Sequence, residues 1–166
     1  MKYLVLVRHA TAEVNPLKSD FERHLTEDGR AEAHQTAREL AQIWRSNNLK
    51  PPLFISSPAT RTFQTCVCIC KEFQTQKLFE GEIEKENQLY RGEIPDWLEV
   101  SLDVEDRQEG IIIVGHNPGL SFFASQLARV ELNFAPGQFV VLSANTTWKE
   151  INHTKWDLFK SSLANG

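Results

Sequence analysis

A cation and an imidazole stand side by side at the end of the first apolar segment of the chain. The run Tyr3–Val7 ends directly in Arg8 and His9. A permanently charged guanidinium next to an imidazole is typical either of a polar strand end or of an anion site that contains a nucleophile or an acid. For an isolated pair the first interpretation is favoured, so the second requires partners elsewhere in the chain.

Two further segments supply such partners. "LFISSPATR" carries Arg61, and "IIIVGHNPG" carries His116. Ser57-Pro58 and Asn117-Pro118 each predict an N-cap followed by proline at the first helical position, and helix N-termini favour anions. Taken singly, Arg61 is typical of an exposed helix and His116 of a core or capping histidine. Three apolar runs that each end in such residues together predict a phosphate site.

The intervening sequence alternates apolar runs with amphipathic segments. Thr26 and the two acidic residues after it predict a helix N-terminus, and the inner face of that helix is predicted at Ala33, Ala37, Leu40, Ala41 and Trp44. The predicted helices are 26–47, 58–74, 95–107, 118–129 and a short turn at Trp148. The predicted strands are 2–8, 53–56, 110–115 and 138–144, with weaker ones at 78–83 and 155–159.

This alternation predicts an α/β fold, a three-layer α/β/α sandwich with a largely parallel central sheet. Residues 1–166 are expected to form a single domain. In open sheets of this kind, ligands bind outside the carboxyl ends of the strands. The residues that follow the three strongest strands should therefore meet at one edge, with His9 and His116 within about 8 Å, close enough to share one phosphate.

Composition restricts the classes of function. Apolar residues make up 41% and charged residues 24% of the chain, as is usual for a soluble protein. The net charge of −4 argues against a general nucleic-acid binder. No apolar run approaches the roughly 20 residues of a membrane span, and the segment after Lys2 is too short for a signal peptide. We therefore expect a cytoplasmic protein without membrane contacts.

The three cysteines lie in "TCVCICKEF", a pattern that invites a metal interpretation. No fourth ligand lies nearby, and the histidines lack ligand spacing, so no metal or cofactor is expected. Helical periodicity instead places the thiols of Cys66 and Cys70 on the apolar face of a helix, where they are expected to pack. The remaining histidines, His24, His34 and His153, are expected to be surface or structural residues.

Three segments, "VRHATAEVN", "ISSPATRTFQT" and "IIIVGHNPGLSFFASQL", resemble the signature segments of the histidine phosphatase superfamily, whose fold is called phosphoglycerate-mutase-like. The resemblance covers roughly residues 2–145. The segment Asp20–Ala33 and the short length, without an inserted cap domain, are most similar to the SixA-type phosphohistidine phosphatases.

The resemblance implies a role for each matching position. His9 matches the nucleophile that is transiently phosphorylated, Arg8 and Arg61 match two arginines that hold the phosphate, and His116 matches a second pocket histidine. The further phosphate-binding candidates are Asn15, which matches an asparagine of some mutase-like members, and Asn117.

The sequence departs from the family pattern at two positions. Ala10 stands where a glycine is common, so the loop should have an ordinary backbone conformation there. Tyr90 stands where many members carry a glutamate that donates a proton. Asp20, Glu93 and Asp96 are the candidates for that acid, and the sequence does not choose among them.

Three functions remain open at this point: a protein phosphohistidine phosphatase, a phosphatase of small phosphorylated metabolites, and a phosphate-binding module without turnover. A mutase is disfavoured because the short chain has little room to enclose an intermediate. The missing glutamate favours N-phosphoryl substrates, whose leaving imidazole depends less on a positioned proton donor.

Overall fold

Six strands form one central sheet in a computed structural model of the protein, which describes residues 1–164. The strands are β1 Lys2–Arg8, β2 Leu53–Ser56, β3 Glu84–Lys85, β4 Gly110–Gly115, β5 Phe139–Ala144 and β6 Asp157–Ser161. Their spatial order is β3-β2-β4-β1-β5-β6. The strands β1 to β4 are parallel to one another, whereas β5 pairs antiparallel with both β1 and β6. The sheet is therefore largely parallel, as predicted, with an antiparallel edge.

Helices cover both faces of this sheet. They are α1 Glu27–Ser46, α2 Thr60–Thr75, α3 Ile94–Leu102 and α4 Gly119–Ala128. On β1, Leu4 and Leu6 point into the core beneath α3 and α4, while Val5 and Val7 point into the core beneath α1 and α2. Each strand residue thus contributes to one of two apolar layers, as the alternation of a buried strand requires. The three-layer α/β/α sandwich is confirmed.

The first helix agrees closely with its prediction. The Thr26 side chain accepts a hydrogen bond from the main-chain N–H of Gly29, and the five predicted inner residues are all buried. The third helix is shorter than predicted, since it ends at Leu102 rather than near residue 107. The chain instead turns so that Asp106 forms an ion pair with Lys2 at 3.3 Å.

The predicted strand at 78–83 is wrong. Phe79 packs edge-on against Phe54 with ring centroids 4.8 Å apart, so this segment fills the core without joining the sheet. Pairing with β2 begins only at Glu84, opposite Ile55. The apolar residues of the segment have the pattern of a strand, but their side chains pack in the core and their backbone does not pair with β2.

The cysteine cluster packs as expected. Cys66 is completely buried and Cys70 nearly so, and burial raises the pKa of all three thiols. Such thiols are poor nucleophiles. Within residues 1–164, no three His, Cys, Asp or Glu side chains are grouped to hold a metal ion. None of the described helices combines the length and apolar character needed to cross a bilayer.

Candidate active site

The carboxyl ends of β1, β2 and β4 meet around a pocket of about 440 Å³. The centroids of the His9 and His116 rings are 5.3 Å apart, well inside the distance expected from the sequence. The pocket is strongly cationic, since four arginines and one carboxylate line it. Its lining residues are Arg8, His9, Asp20, Arg23, Arg61, Tyr90, Arg91, His116 and Asn117.

His9 is held in one tautomer. Its Nδ1 lies 2.8 Å from the carbonyl oxygen of Ala10, which can only accept, so Nδ1 carries the proton and Nε2 keeps a free lone pair. Burial, with a smaller contribution from the charges of Arg61 and Arg8, lowers the pKa of His9 to about 4. At neutral pH the Nε2 atom is therefore unprotonated, with its lone pair free. Ala10 has an ordinary backbone conformation, as expected.

His116 is fixed by Ser57 and Arg61. Its Nδ1 lies 3.4 Å from a guanidinium nitrogen of Arg61, which can only donate, so the proton of the neutral ring is on Nε2. Nε2 lies 2.7 Å from the Ser57 hydroxyl oxygen and donates to it. Burial, followed by the charge of Arg61, lowers the pKa of His116 to about 3. The neutral ring therefore presents an unprotonated Nδ1 that accepts from Arg61.

The two phosphate-holding candidates among the arginines are anchored at their tips. Arg8 donates from Nη1 to the carbonyl of Phe134 at 2.8 Å, and burial lowers the pKa of its guanidinium. Arg61, only 6% exposed, donates from both Nη atoms to Asp20. The Nε–H groups of Arg8 and Arg61 are buried and have no partner among residues 1–164. Buried donors of this kind suit an oxyanion, which accepts several short hydrogen bonds.

Thr65 ties the first turn of α2, which carries Arg61, to the loop of His9. The Thr65 hydroxyl donates to the Arg61 carbonyl at 2.8 Å and accepts from the Ala10 N–H at 3.1 Å. Thr65 is completely buried. These two hydrogen bonds fix the first turn of α2 against the end of β1, and so fix Arg61 relative to His9.

Asp20 is the only one of the three candidate acids that lines the pocket. Its carboxylate accepts hydrogen bonds from Tyr90 at 2.7 Å and Arg61 at 3.0 Å, and Arg23 pairs with its other oxygen at 2.8 Å. The hydrogen bond from Tyr90, followed by those from the arginines, holds the pKa of Asp20 far below its usual range. Asp20 is therefore an anion that positions cations, and it has no proton to donate at neutral pH.

Glu93 and Asp96 lie elsewhere. They form a reciprocal capping box at the start of α3, in which the Glu93 side chain accepts from the Asp96 main chain and the Asp96 side chain accepts from the Glu93 main chain. Neither lines the pocket. With Asp20 ionised, the structure offers no carboxylic acid to a leaving group from within residues 1–164.

The two asparagines have different surroundings. Asn15 is outside the pocket, where its side chain accepts from the Leu17 N–H in a tight turn. Asn117 lines the pocket, but its Oδ1 accepts from the N–H and the hydroxyl of Ser121, and its Nδ2 donates to the carbonyl of Phe134. Asn117 therefore holds the loop beside Arg8, which donates to the same carbonyl.

The predicted helix starts were wrong by one or two residues. Helix α2 begins at Thr60, with Ala59 at the N-cap, and helix α4 begins at Gly119, with Pro118 at the N-cap. Ser57 is not the N-cap because the helix begins only at Thr60; its hydroxyl oxygen lies 2.7 Å from His116 Nε2 and also accepts from the Ala59 N–H at 3.4 Å. Sequence reasoning also missed the pocket residues Arg23 and Arg91. The pattern "DFERH" places Arg23 three residues after Asp20, a spacing that could have indicated their ion pair.

Comparison with known proteins agrees with this geometry. The family model described as histidine phosphatase superfamily (branch 1) matches residues 4–90, more than half of the chain. The protein therefore belongs to the histidine phosphatase superfamily. No curated protein gives a significant match to the sequence.

Solved structures show the same fold over nearly the whole chain. A candidate phosphohistidine phosphatase SixA from Nakamurella multipartitia is 23% identical, with a TM-score of 0.79 over 98% of this chain and 95% of that one. A second candidate phosphohistidine phosphatase SixA, from Agrobacterium tumefaciens, is 26% identical, with a TM-score of 0.74 over 99% of both chains. A mycobacterial glucosyl-3-phosphoglycerate phosphatase is 13% identical, with a TM-score of 0.70 over 95% of this chain and 97% of that one. The phosphoglycerate-mutase-like fold is thus shared by phosphatases named for different substrates.

Proposed function

We propose that the protein is a phosphatase that works through a phosphorylated His9, and that its preferred substrates are proteins phosphorylated on histidine. The observation that carries the proposal is the tautomer of His9. A hydrogen bond to the Ala10 carbonyl leaves Nε2 unprotonated in a pocket lined by four arginines. A neutral imidazole among cations is arranged to attack a dianionic phosphoryl group.

In the first step, Nε2 of His9 forms a bond to phosphorus as the bond to the leaving group breaks. Charge on the transferred group is stabilised by the Nε–H groups of Arg8 and Arg61 and by His116. An anion beside the Nδ1 of His116 raises the pKa of that ring, so the neutral base becomes a cationic donor when substrate binds. In the second step, water attacks phospho-His9 and releases phosphate.

The leaving group determines which substrates suit this site. An alkoxide from serine or a sugar needs a proton as the phosphorus–oxygen bond breaks, but Asp20 is ionised and the other two candidate acids lie outside the pocket. Phosphohistidine departs as neutral imidazole once its second ring nitrogen has taken a proton from solvent, and the conjugate acid of that imidazole has a pKa of about 6.5. The site therefore favours the phosphorus–nitrogen bond.

The structural neighbours include phosphatases named for phosphohistidine and one named for glucosyl-3-phosphoglycerate. Phosphatase activity towards a small phosphorylated metabolite is the alternative function. It would need a proton donor, and Tyr90 is the one uncharged O–H group that lines the pocket in the described part of the chain. The hydrogen bond to Asp20 raises the pKa of Tyr90, which makes it a weaker acid than free tyrosine.

A substrate panel tests the proposal. We expect kcat/KM for a phosphohistidine peptide to exceed that for a phosphoserine peptide of the same sequence, with p-nitrophenyl phosphate between them. The ratio of kcat/KM for the phosphohistidine peptide to that for the phosphoserine peptide should decrease as the pH falls from 7.5 to about 5.5, because solvent then supplies the proton that the serine alkoxide needs. His9→Ala is the control for uncatalysed hydrolysis of the acid-labile phosphohistidine. Equal or faster turnover of phosphoserine or sugar phosphates at neutral pH would contradict the preference.

A further inference from the structure

Three large apolar side chains are exposed on the loop between β1 and α1. Val14 is 92%, Leu17 94% and Phe21 40% exposed, and we name these three residues the apolar rim. Scattered exposed apolar residues are usual on protein surfaces. Here, however, three lie within eight residues of sequence, on a loop whose neighbouring side chains line the pocket.

The loop holds a fixed position beside the pocket. Its ends are joined by a bridge between Ala12 and Leu25, and Arg23 donates to the Glu13 carbonyl across it at 2.8 Å. At the pocket end, Asp20 binds both Nη atoms of Arg61. The next residue, Phe21, packs edge-on against Tyr90 with ring centroids 5.1 Å apart. Phe21 therefore contacts a residue that lines the pocket, and Val14 directly follows Glu13, whose carbonyl accepts from another pocket residue, Arg23.

Charges on this loop are largely neutralised within it. Lys18 pairs with Glu13 at 2.6 Å, and Asp20 pairs with Arg23 and Arg61. An anionic membrane surface attracts loops that carry an excess of lysine and arginine next to apolar side chains, and this loop has no such excess. The cationic charge is concentrated in the pocket, where it attracts one phosphoryl group, while the rim offers apolar contact around it.

We propose that the apolar rim is the docking surface for the phosphorylated protein, and that it binds apolar side chains that flank the phosphohistidine. This inference rests on the proposed function. A phosphoryl group in the pocket brings the attached protein close to Asp20, which lines the pocket, and to Phe21 beside it. Because Leu17 is only three residues from Asp20, the substrate residues on either side of the phosphohistidine come within reach of the rim. A small metabolite would gain nothing from these side chains.

Two phosphohistidine peptides test the inference, one with leucine and phenylalanine beside the phosphohistidine and one with serine and glycine there. For the unchanged protein we expect kcat/KM to be higher for the apolar peptide by about tenfold or more, as burial of one aliphatic side chain provides. Val14→Ser combined with Leu17→Ser should remove this difference and leave p-nitrophenyl phosphate hydrolysis unchanged. Because both side chains are almost fully exposed, the double variant should fold normally.

Leu158→Ser is the matched control, since Leu158 is 48% exposed on the edge strand β6. It should retain the preference for the apolar peptide. Equal kcat/KM for the two peptides with the unchanged protein would overturn the inference, as would a double variant that keeps the preference. Cosedimentation of the protein with anionic phosphatidylglycerol vesicles, lost in the double variant, would assign the rim to a membrane instead. Failure of the proposed function looks different, because neither phosphohistidine peptide would then be turned over.

Discussion

Replacement of Ser57 by alanine tests how the second pocket histidine is held. Ser57 and its hydroxyl are completely buried, and the oxygen accepts the Nε2–H of His116 at 2.7 Å. His116 is itself only 8% exposed. In Ser57→Ala this N–H loses its partner in a place that water does not readily reach. The change removes one oxygen atom and leaves the pocket-lining side chains in place.

The expected effects on stability and on activity follow from comparing His116 in its neutral and its protonated state. A buried N–H left without a partner costs about 1–3 kcal/mol, so the free energy of unfolding should fall by that amount. When a phosphoryl group draws a proton onto His116, the ring becomes an imidazolium, and its hydrogen bond to Ser57 is about twice as strong as between neutral groups. Only the additional strength affects catalysis. At about 1.4 kcal/mol, it corresponds to a loss of about tenfold in kcat/KM.

Steady-state kinetics on p-nitrophenyl phosphate, urea denaturation and NMR titration of His116 with and without phosphate would measure these effects. The rise in the pKa of His116 on phosphate binding should be smaller in Ser57→Ala by about one unit, which is the same free energy. Ser56→Ala is the matched control. Ser56 is also completely buried, but its hydroxyl donates to the Ser57 carbonyl at 2.8 Å rather than to a pocket side chain.

The control variant should lose some stability and keep its activity within about twofold, because the Ser57 carbonyl still accepts from Thr62 at 3.1 Å. If Ser57→Ala kept full activity, or if Ser56→Ala lost as much activity as Ser57→Ala, the reasoning about His116 would be refuted. A loss of activity without any change in the His116 titration would assign the effect of Ser57 to the loop as a whole.

Three other predictions concern the nucleophile, the packing and the pH dependence. His9→Ala should abolish turnover and the acid-labile phosphoenzyme that rapid quench detects, and near-native activity of this variant would exclude covalent catalysis at His9. Arg61→Ala should keep the fold, as measured by circular dichroism, and lose about 10²-fold or more in kcat. Gly119→Ala should lower the melting temperature, although alanine normally favours a helix, because its Cβ would lie 1.6 Å from the Gly92 carbonyl oxygen; an unchanged melting temperature would contradict the close approach. The folded-state pKa of His116, about 3, is below its ordinary 6.5, so the unfolded chain takes up the proton first and stability falls as the pH drops below 6.5. His116→Gln should therefore flatten the decline of unfolding free energy between pH 6 and 4.5 by up to about 1.4 kcal/mol per pH unit, and parallel curves would contradict this.

The sequence by itself determined the architecture and the position of the pocket. Alternating apolar and amphipathic segments indicate buried strands and covering helices, since each buried face must be apolar at the period of its element. The carboxyl ends of parallel strands share one edge, so Arg8, Arg61 and His116 could be brought together without coordinates. The prediction of a strand at 78–83 was wrong because apolar residues fill a core equally well without strand pairing. The hydrophobic pattern does not distinguish a paired strand from an unpaired segment that packs in the core.

Only the tertiary structure decided the protonation states of the pocket side chains and which candidate carboxylate lines the pocket. Asp20 is separated from Arg61 by 41 residues and from Tyr90 by 70, and its ionisation depends on both contacts. Likewise, Ser57 has the sequence of a helix cap, yet it accepts from a histidine 59 residues away. Contacts between residues this far apart in the chain depend on distances of a few ångströms in space and have no period along the sequence, so the sequence does not predict them as it predicts a helix cap or a pair within one turn.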